Sequence, residues 1–417
     1  MSTMCATESA PRDVVMRRNA RMRSRLVVIG ALCAVVIPGA AVASQPTPTP
    51  TPNTSLAARP SAVVKATFND TVPLGQFGFS QGSSLVWESD ALLARDLDGM
   101  VAAGATWVGV DVDWPHIQAG GPDSWTWQYT DRVVLAARAR GLQVLATADY
   151  SPVWARPAGT SDKHAPNDPA DFARFAAAAA ARYAPHGVDA WQIWNEPNIV
   201  DFWQPNPDAA AYAELLIAGA DAIHGANPNA VVMNGGLAPA GNVAGVSIAP
   251  NDFIIQMYAA GISGHVDAIS MHPYSFPYSP TTPEVWNPFY MLTYTHLIMS
   301  AFGDGALPIW GTEAGFGTGT DGQSVSHSVQ ATRMKQLVQA WQQVPFAGNL
   351  FVYGYRDLAA GSGSVWDNMG LVRHDFRAKP AAAAFRSAVA GAQPKVRAPR
   401  SCIRGTAIGA TARRKGC

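Results

Sequence analysis

The chain has 417 residues, 48% of them hydrophobic and 14% charged, a composition that excludes a disordered or fibrous protein and allows a large buried core. Its 30 basic and 30 acidic side chains balance only overall: residues 1–43 carry 6 basic and 2 acidic, residues 392–417 carry 7 basic and none acidic, and the body between has 17 against 28. So acidic a body argues against a nucleic-acid partner.

The N-terminus reads as a targeting segment. Arg17, Arg18, Arg21, Arg23 and Arg25 precede an apolar run from Leu26 to Ile37, Pro38 and Gly39 break it, and Ala41-Val42-Ala43 offers a cleavage signal. The expected mature chain starts at Ser44, with no membrane span once the signal is removed, and is secreted, extracellular or associated with the cell wall. A Pro/Thr-rich linker follows over residues 44–60, stiffened by the alternating run Pro46 to Pro52. Residues 61–391 are the expected single catalytic domain, and 392–417 a basic tail. Cys5 and Cys33 leave with the signal, and Cys402 and Cys417 sit in the tail, where an oxidising compartment would allow a disulfide. The body has no cysteine, which excludes thiol catalysis and Cys-ligated zinc there.

Along the body, short apolar runs alternate with helical ones. The strand-like runs are Gly75–Phe79, Thr106–Val110, Gln143–Thr147, Ala190–Trp194, Ala230–Asn234, Val266–Ser270, Pro308–Gly311 and Leu350–Tyr353. Ser89 caps an amphipathic run from Asp90 to Ala102. Asp168-Pro169 opens an Ala-rich helix through Tyr183, and Pro207-Asp208 opens another that ends before Asn227-Pro228. Ser324 to Gln343 and Lys379 to Ala390 read as further helices. Eight such units predict an α/β fold, a (β/α)8 TIM barrel forming one domain. An open doubly wound sheet fits less well, because no Gly-rich phosphate loop follows the first strand.

Two motifs carry chemistry. In Trp191-Gln192-Ile193-Trp194-Asn195-Glu196-Pro197 an apolar strand runs into a Glu, and Pro197, with no N–H to give the ladder, ends it. In Pro308-Ile309-Trp310-Gly311-Thr312-Glu313 the seventh strand does the same. Both carboxylates then stand at the C-terminal mouth of a barrel, across a cleft from each other. One can protonate a glycosidic oxygen while the other attacks the anomeric carbon.

These motifs resemble those of clan A of the glycoside hydrolases, the 4/7 superfamily, over roughly residues 75–390, with families 5 and 39 nearest, among them bacterial endoglycosidases that cut exopolysaccharide. The resemblance implies a retaining glycosidase with Glu196 as acid/base, Glu313 as nucleophile and a poly- or oligosaccharide as partner. It also implies that Asn195 bonds the sugar 2-hydroxyl, that Tyr274 of Met271-His272-Pro273-Tyr274 holds Glu313, and that His272 lines the site. Ala148-Asp149-Tyr150 and Tyr353-Gly354-Tyr355 should reach the mouth, and Trp114, Trp154 and Trp203 are candidate sugar platforms. One departure stands out: Gly109 occupies the second-strand position where relatives commonly place an Arg beside the nucleophile. Arg356, after the eighth strand, is the expected replacement, with pairing to Asp357 or another surface carboxylate as its rival role.

No cofactor pattern is present. Asp111 and Asp113 lack the His cluster of a metal site, so no metal is expected, and they either satisfy loop backbone or bind sugar hydroxyls. The chain is expected to act as a monomer. Two other readings compete. Gly78-Phe79-Ser80-Gln81-Gly82 matches the nucleophile elbow of serine esterases, though without the immediate helix that motif needs. A non-catalytic carbohydrate-binding barrel draws its support from Gly109 alone.

Overall fold

The computed structural model describes residues 75–392. The expected signal, linker, basic tail and Cys402–Cys417 pair lie outside the described residues, apart from Ala392. Eight parallel strands run in the order β5-β4-β3-β2-β1-β8-β7-β6. They are β1 (Phe77–Ser80), β2 (Trp107–Asp113), β3 (Gln143–Asp149), β4 (Ala190–Ile193), β5 (Val231–Asn234), β6 (Ile269–Met271), β7 (Ile309–Ala314) and β8 (Ala347–Tyr353). The seam between β5 and β6 is closed by bridges Met233–Ala268 and Leu237–Met271 and by the Asp267 N–H donating to the Val232 carbonyl. The expected TIM barrel is the fold.

Eight longer helices follow the strands: α1 (Asp90–Ala102), α2 (Gln128–Ala139), α3 (Pro169–Tyr183), α4 (Ala209–Ala226), α5 (Pro250–Ala259), α6 (Pro288–Ala301), α7 (His327–Gln343) and α8 (Pro380–Ala390). Ser89, Asp168 and Asp208 cap α1, α3 and α4, each side chain accepting a backbone N–H of the first turn. Helices α2, α5 and α6 were not singled out in the sequence. Trp127 and Ala249, at the starts of α2 and α5, make no side-chain cap, and α6 is rich in aromatic and β-branched residues that read equally as strand.

The barrel interior is filled by Trp107, Leu145, Ala190, Val231, Met233, Ala268, Trp310 and Phe351, one or two from nearly every strand. Because strand side chains alternate, this layer fixes which residues stand above it. Gly109, Asp111 and Asp113 share Trp107's face of β2, and Thr147 and Asp149 share Leu145's face of β3. The β2–β3 register sets Asp113 opposite Asp149. No helix among the described residues is long and apolar enough to cross a membrane.

Candidate active site

Glu196 is delivered by the end of β4. Beyond Ile193 the backbone turns sharply, with Trp194 at φ 69° and Glu196 at φ 45°, left-handed conformations that a non-glycine residue holds only when its surroundings compel it. The surroundings do so on two sides: the Trp194 N–H donates to the Ala148 carbonyl of β3, and the Glu196 N–H to the Gly236 carbonyl beyond β5. Glu313 lies within β7, where the pairing to β8 shifts register between Gly311 and Ala314. That irregularity re-aims the strand's side chains at the rim.

The two carboxylates meet over one imidazole. One oxygen of Glu196, one of Glu313 and a ring nitrogen of His272 lie within 4.8 Å of one another. His272 Nδ1 is 2.8 Å from Glu196 Oε1 and 3.7 Å from Glu313 Oε2. The Tyr274 hydroxyl donates to Glu313 Oε2 at 2.7 Å. Both glutamates keep a little exposure, 12% and 17% of their side chains, whereas the His272 side chain has none. Burial by itself would depress the His272 pKa, but Glu313 and Glu196 together outweigh it and leave the imidazole above its ordinary value. Its Nε2 is buried with no hydrogen-bond partner among the described residues, so the neutral ring carries its proton on Nδ1. Burial, and then the facing Glu313, hold the Tyr274 phenol well above its usual range, which keeps it a hydrogen-bond donor.

Beneath the pair runs a buried polar chain. Ser270 on β6 donates to Gln192 on β4 and shares a 2.6 Å hydrogen bond with Thr312 on β7, while Gln192 donates to the Trp194 carbonyl. The strands that deliver both glutamates and His272 are thereby tied together. Gly236 completes the support: a Cβ there would sit 2.1 Å from His272 Nε2. Gln192 and Thr312 stand in the two glutamate motifs, whereas Ser270 and Gly236 are not marked in the sequence, where the Gly235-Gly236 pair after β5 is the available signal.

Of the expected site residues, Asn195 is half-buried beside Glu196, and Tyr353 ends β8 packed with Tyr274. The platform assignments need correction. Trp114 is fully buried, stacked on Phe175 and edge-on to Phe172 and Trp154, with its indole N–H donated to Gln118. Trp203 is likewise buried, between Trp194 and Tyr212. Neither has a face to offer a sugar. Trp154 keeps partial exposure while its N–H is given to the Gln118 carbonyl. Trp366, half-buried and 5.3 Å from the Tyr274 ring, is an aromatic near the nucleophile position that the sequence did not mark.

Arg356 also departs from expectation. Its guanidinium turns outward to α1, bonding both oxygens of the buried Asp96 at 2.8–3.0 Å and the half-buried Glu88 at 2.6 Å. Asp357 instead pairs with Lys379. The titratable base that faces the two glutamates is therefore His272. Ser80 ends β1 and is followed by a helix of only four residues, Ser84–Trp87, which leaves the esterase elbow without the long helix it requires. Glu196, His272 and Glu313 are also the one group among the described residues close enough to ligate a metal ion. Hydrogen bonds already engage His272 Nδ1 and Glu313 Oε2.

A parallel barrel with paired carboxylates on its fourth and seventh strands is the architecture of a glycosidase. The sequence matches the model of the Cellulase family, glycosyl hydrolase family 5, over residues 68–344, and the chain belongs to that family. A search of curated proteins returned no significant match. Among solved structures, the chain is similar to a family 39 glycoside hydrolase from the gut symbiont Bacteroides cellulosilyticus WH2, at 21% identity and TM-score 0.61, covering 76% of this chain and 64% of that one. It is similar to a monomeric β-xylosidase from Caulobacter crescentus CB15, at 18% identity and TM-score 0.59, covering 78% of this chain and 70% of that one. A third likeness is to a GH5_18 variant from Streptomyces cattleya solved with Manb1-4GlcNAc, at 16% identity and TM-score 0.57, covering 76% and 80% of the two chains. At these identities the likeness is one of fold.

Proposed function

We infer that this glycosidase is a retaining enzyme acting on a β-linked poly- or oligosaccharide by double displacement. The observation that carries the reading is that one carboxylate oxygen of Glu196 and one of Glu313 come within 4.8 Å of each other. Retaining enzymes hold their pair about 5–5.5 Å apart, whereas inverting ones need about 6.5–9.5 Å to admit a water. A β linkage is supported by the xylosidase and the Manb1-4GlcNAc complex among the similar structures.

In the first step Glu313 attacks the anomeric carbon. The glycosidic C–O bond breaks, and Glu196 gives its proton to the departing oxygen. In the second, Glu196 takes a proton from water, whose oxygen displaces Glu313 from the anomeric carbon and restores both residues. Tyr274 holds the attacking carboxylate by a donor that stabilises its negative charge. His272, in the absence of an arginine at Gly109, donates its Nδ1 proton to Glu196 and stands 3.7 Å from Glu313. Asn195 reaches the sugar 2-hydroxyl, and Tyr353 lines the same cleft. We propose further that residues 1–43 export the chain, that it works as a monomer outside the cell or at the cell wall, and that it uses no cofactor.

The test is a panel of aryl β-glycosides and β-linked polysaccharides offered to the wild type, Glu196→Ala and Glu313→Ala. The reading requires wild-type turnover that Glu313→Ala abolishes. On a substrate with a good leaving group, azide should restore Glu196→Ala by attacking the glycosyl-enzyme in place of activated water, giving a glycosyl azide of retained configuration. A retained azide product from Glu313→Ala would reverse the two roles.

A further inference from the structure

The helix that follows the sixth strand is apolar on two faces. A surface helix buries one stripe and turns polar residues to solvent. On α6 the buried stripe is Phe289, Leu292, Thr295 and Met299. On the opposite side Tyr290, Tyr294 and Leu297, at i, i+4 and i+7, stand exposed. Trp286, just before the capping Asn287, begins this outer stripe at the barrel rim. Tyr278, earlier in the segment between β6 and α6, meets Trp286 with ring centres 4.9 Å apart, and the Tyr290 and Tyr294 rings follow at 6.4 Å from each other. Tyr278, Trp286, Tyr290 and Tyr294 are each 45–53% exposed. Contiguous exposed apolar surface of this kind marks a place that something covers.

The stripe is continuous with the active site. Tyr274, which donates to Glu313, is followed at once by a turn in which the Tyr278 N–H donates to the Ser275 carbonyl. The segment is also braced from within. Asn287 is fully buried, and its side-chain amide donates to the Thr282 carbonyl at 2.8 Å and reaches those of Ser279 and Pro280 at 3.3 and 3.2 Å. Ser279 in turn donates to Gln336 on α7. Rings held outward by so firm a segment are covered by a partner at little ordering cost. Their chemistry selects that partner. Residues 273–303 contain one formally charged side chain, Glu284, so the segment offers little to a polyanion or a polycation. A second copy of the chain would bring up a body of 17 basic against 28 acidic side chains, which repels its like. Tyr and Trp present flat apolar faces beside hydrogen-bonding tips. A neutral sugar ring matches both, with its C–H face against the ring and its hydroxyls against the tip.

We propose that Tyr278 and Trp286 at the rim, continued by Tyr290 and Tyr294 along α6, form a binding surface for a chain of neutral sugars, which holds a polysaccharide against the enzyme beyond the site where the bond breaks. The proposal rests on the glycosidase reading of the Glu196–Glu313 pair. It adds that the substrate is a neutral polymer rather than a short oligosaccharide.

The experiment compares the full-length wild type with Trp286→Ala, Trp286→Phe and the double variant Tyr290→Ala/Tyr294→Ala. Each is run by native gel electrophoresis through soluble β-glucan, β-mannan, xylan or β-galactan, with polygalacturonate as the charged control. KM and kcat are measured on the polymer that retards the wild type and on an aryl glycoside of the same sugar, and melting temperature is recorded alongside. At least one neutral polymer should retard the wild type, and polygalacturonate should not. Trp286→Ala and the double variant should lose the retardation and raise KM on the polymer at least about fivefold with kcat little changed, while kcat/KM on the aryl glycoside stays within about twofold. Trp286→Phe, which keeps an aromatic face, should recover most of the polymer KM. Polymer retardation and KM unmoved in the alanine variants would overturn the proposal, as would a wild type retarded only by polygalacturonate. A parallel loss on polymer and aryl glycoside would also overturn it, because a purely structural role moves both substrates together. So would a wild-type dimer in sedimentation velocity that the alanine variants dissociate, since a second copy would then be what covers the stripe. The gel needs no turnover and therefore separates the two readings. A wild type retarded through Trp286 yet inert on every glycoside would sink the glycosidase reading, whereas one that cleaves the aryl glycoside and binds no polymer would sink this surface alone.

Discussion

A methyl group added at Gly236 should disable the enzyme without touching a glutamate. In Gly236→Ala the new Cβ would lie 2.1 Å from His272 Nε2, 2.3 Å from its Cδ2 and 2.6 Å from Thr312 Oγ1. Carbon and nitrogen settle at about 3.5 Å, so the ring must retreat by more than about 1 Å. Thr312 is fixed by its 2.6 Å bond to Ser270, and the Gly236 backbone by the N–H of Glu196 that its carbonyl accepts. The strain therefore falls on His272, whose 2.8 Å contact with Glu196 is lost. Overpacking of this kind costs about 1–3 kcal/mol of stability, and a displacement of about 1 Å at a reacting group costs about 100-fold in rate. Steady-state kinetics on an aryl glycoside, at a temperature where circular dichroism confirms the fold, should show kcat down about 100-fold with KM little changed. A folded variant within about threefold of wild-type kcat would refute the idea that His272 is held in place through this glycine.

Three further outcomes follow from named contacts. Tyr274→Phe removes the 2.7 Å donor to Glu313, a charged hydrogen bond of about 1.5–3 kcal/mol, so kcat/KM should fall about 10- to 150-fold; a change under about twofold would contradict that contact. Arg356→Met takes from the buried Asp96 carboxylate its cationic partner, and urea titration should show a loss of about 3–5 kcal/mol, while kcat of the folded fraction stays close to wild type. Burial, then Asp96, lift Glu88 from the ordinary 4.5 to about 8 despite Arg356. The folded state thus binds more protons than the unfolded one between those values, and the Glu88 contribution to stability must decline as pH rises through that window. Melting temperatures of Glu88→Gln should lack this decline, and a slope identical to wild type would assign the proton elsewhere.

The eight strands were legible because each is a short apolar run bounded by turn residues, and the two carboxylates of the site because Glu196 and Glu313 interrupt two such runs. Helices announced by Ser89, Asp168 and Asp208 could be read, whereas those opened by Trp127 and Ala249 carry no polar cap to mark them. The tryptophans misled for a physical reason. A Trp just beyond a strand end can face solvent or the helix layer, and only packing against Phe172 and Phe175 decides that Trp114 faces inward. Arg356 was placed correctly in the sequence but not in space, since its partners Glu88 and Asp96 lie some 260 residues away along the chain. Arg356 does not supply the charge expected opposite Gly109, and His272 is the side chain that stands between the two carboxylates.

The central claim, covalent catalysis by Glu313, is tested most directly by trapping the glycosyl-enzyme. Wild-type protein is incubated with 2-deoxy-2-fluoro glycosides of a good leaving group, chosen from the sugars it cleaves, and then digested and mapped by mass spectrometry. The fluorine slows both steps, and the leaving group restores the first, so the ester accumulates. The account predicts one fluoroglycosyl adduct, on the peptide that contains Glu313 and at that side chain, with activity lost in proportion to labelling. Labelling at Glu196, or no adduct from a sugar whose natural glycoside is cleaved with inversion, would contradict it.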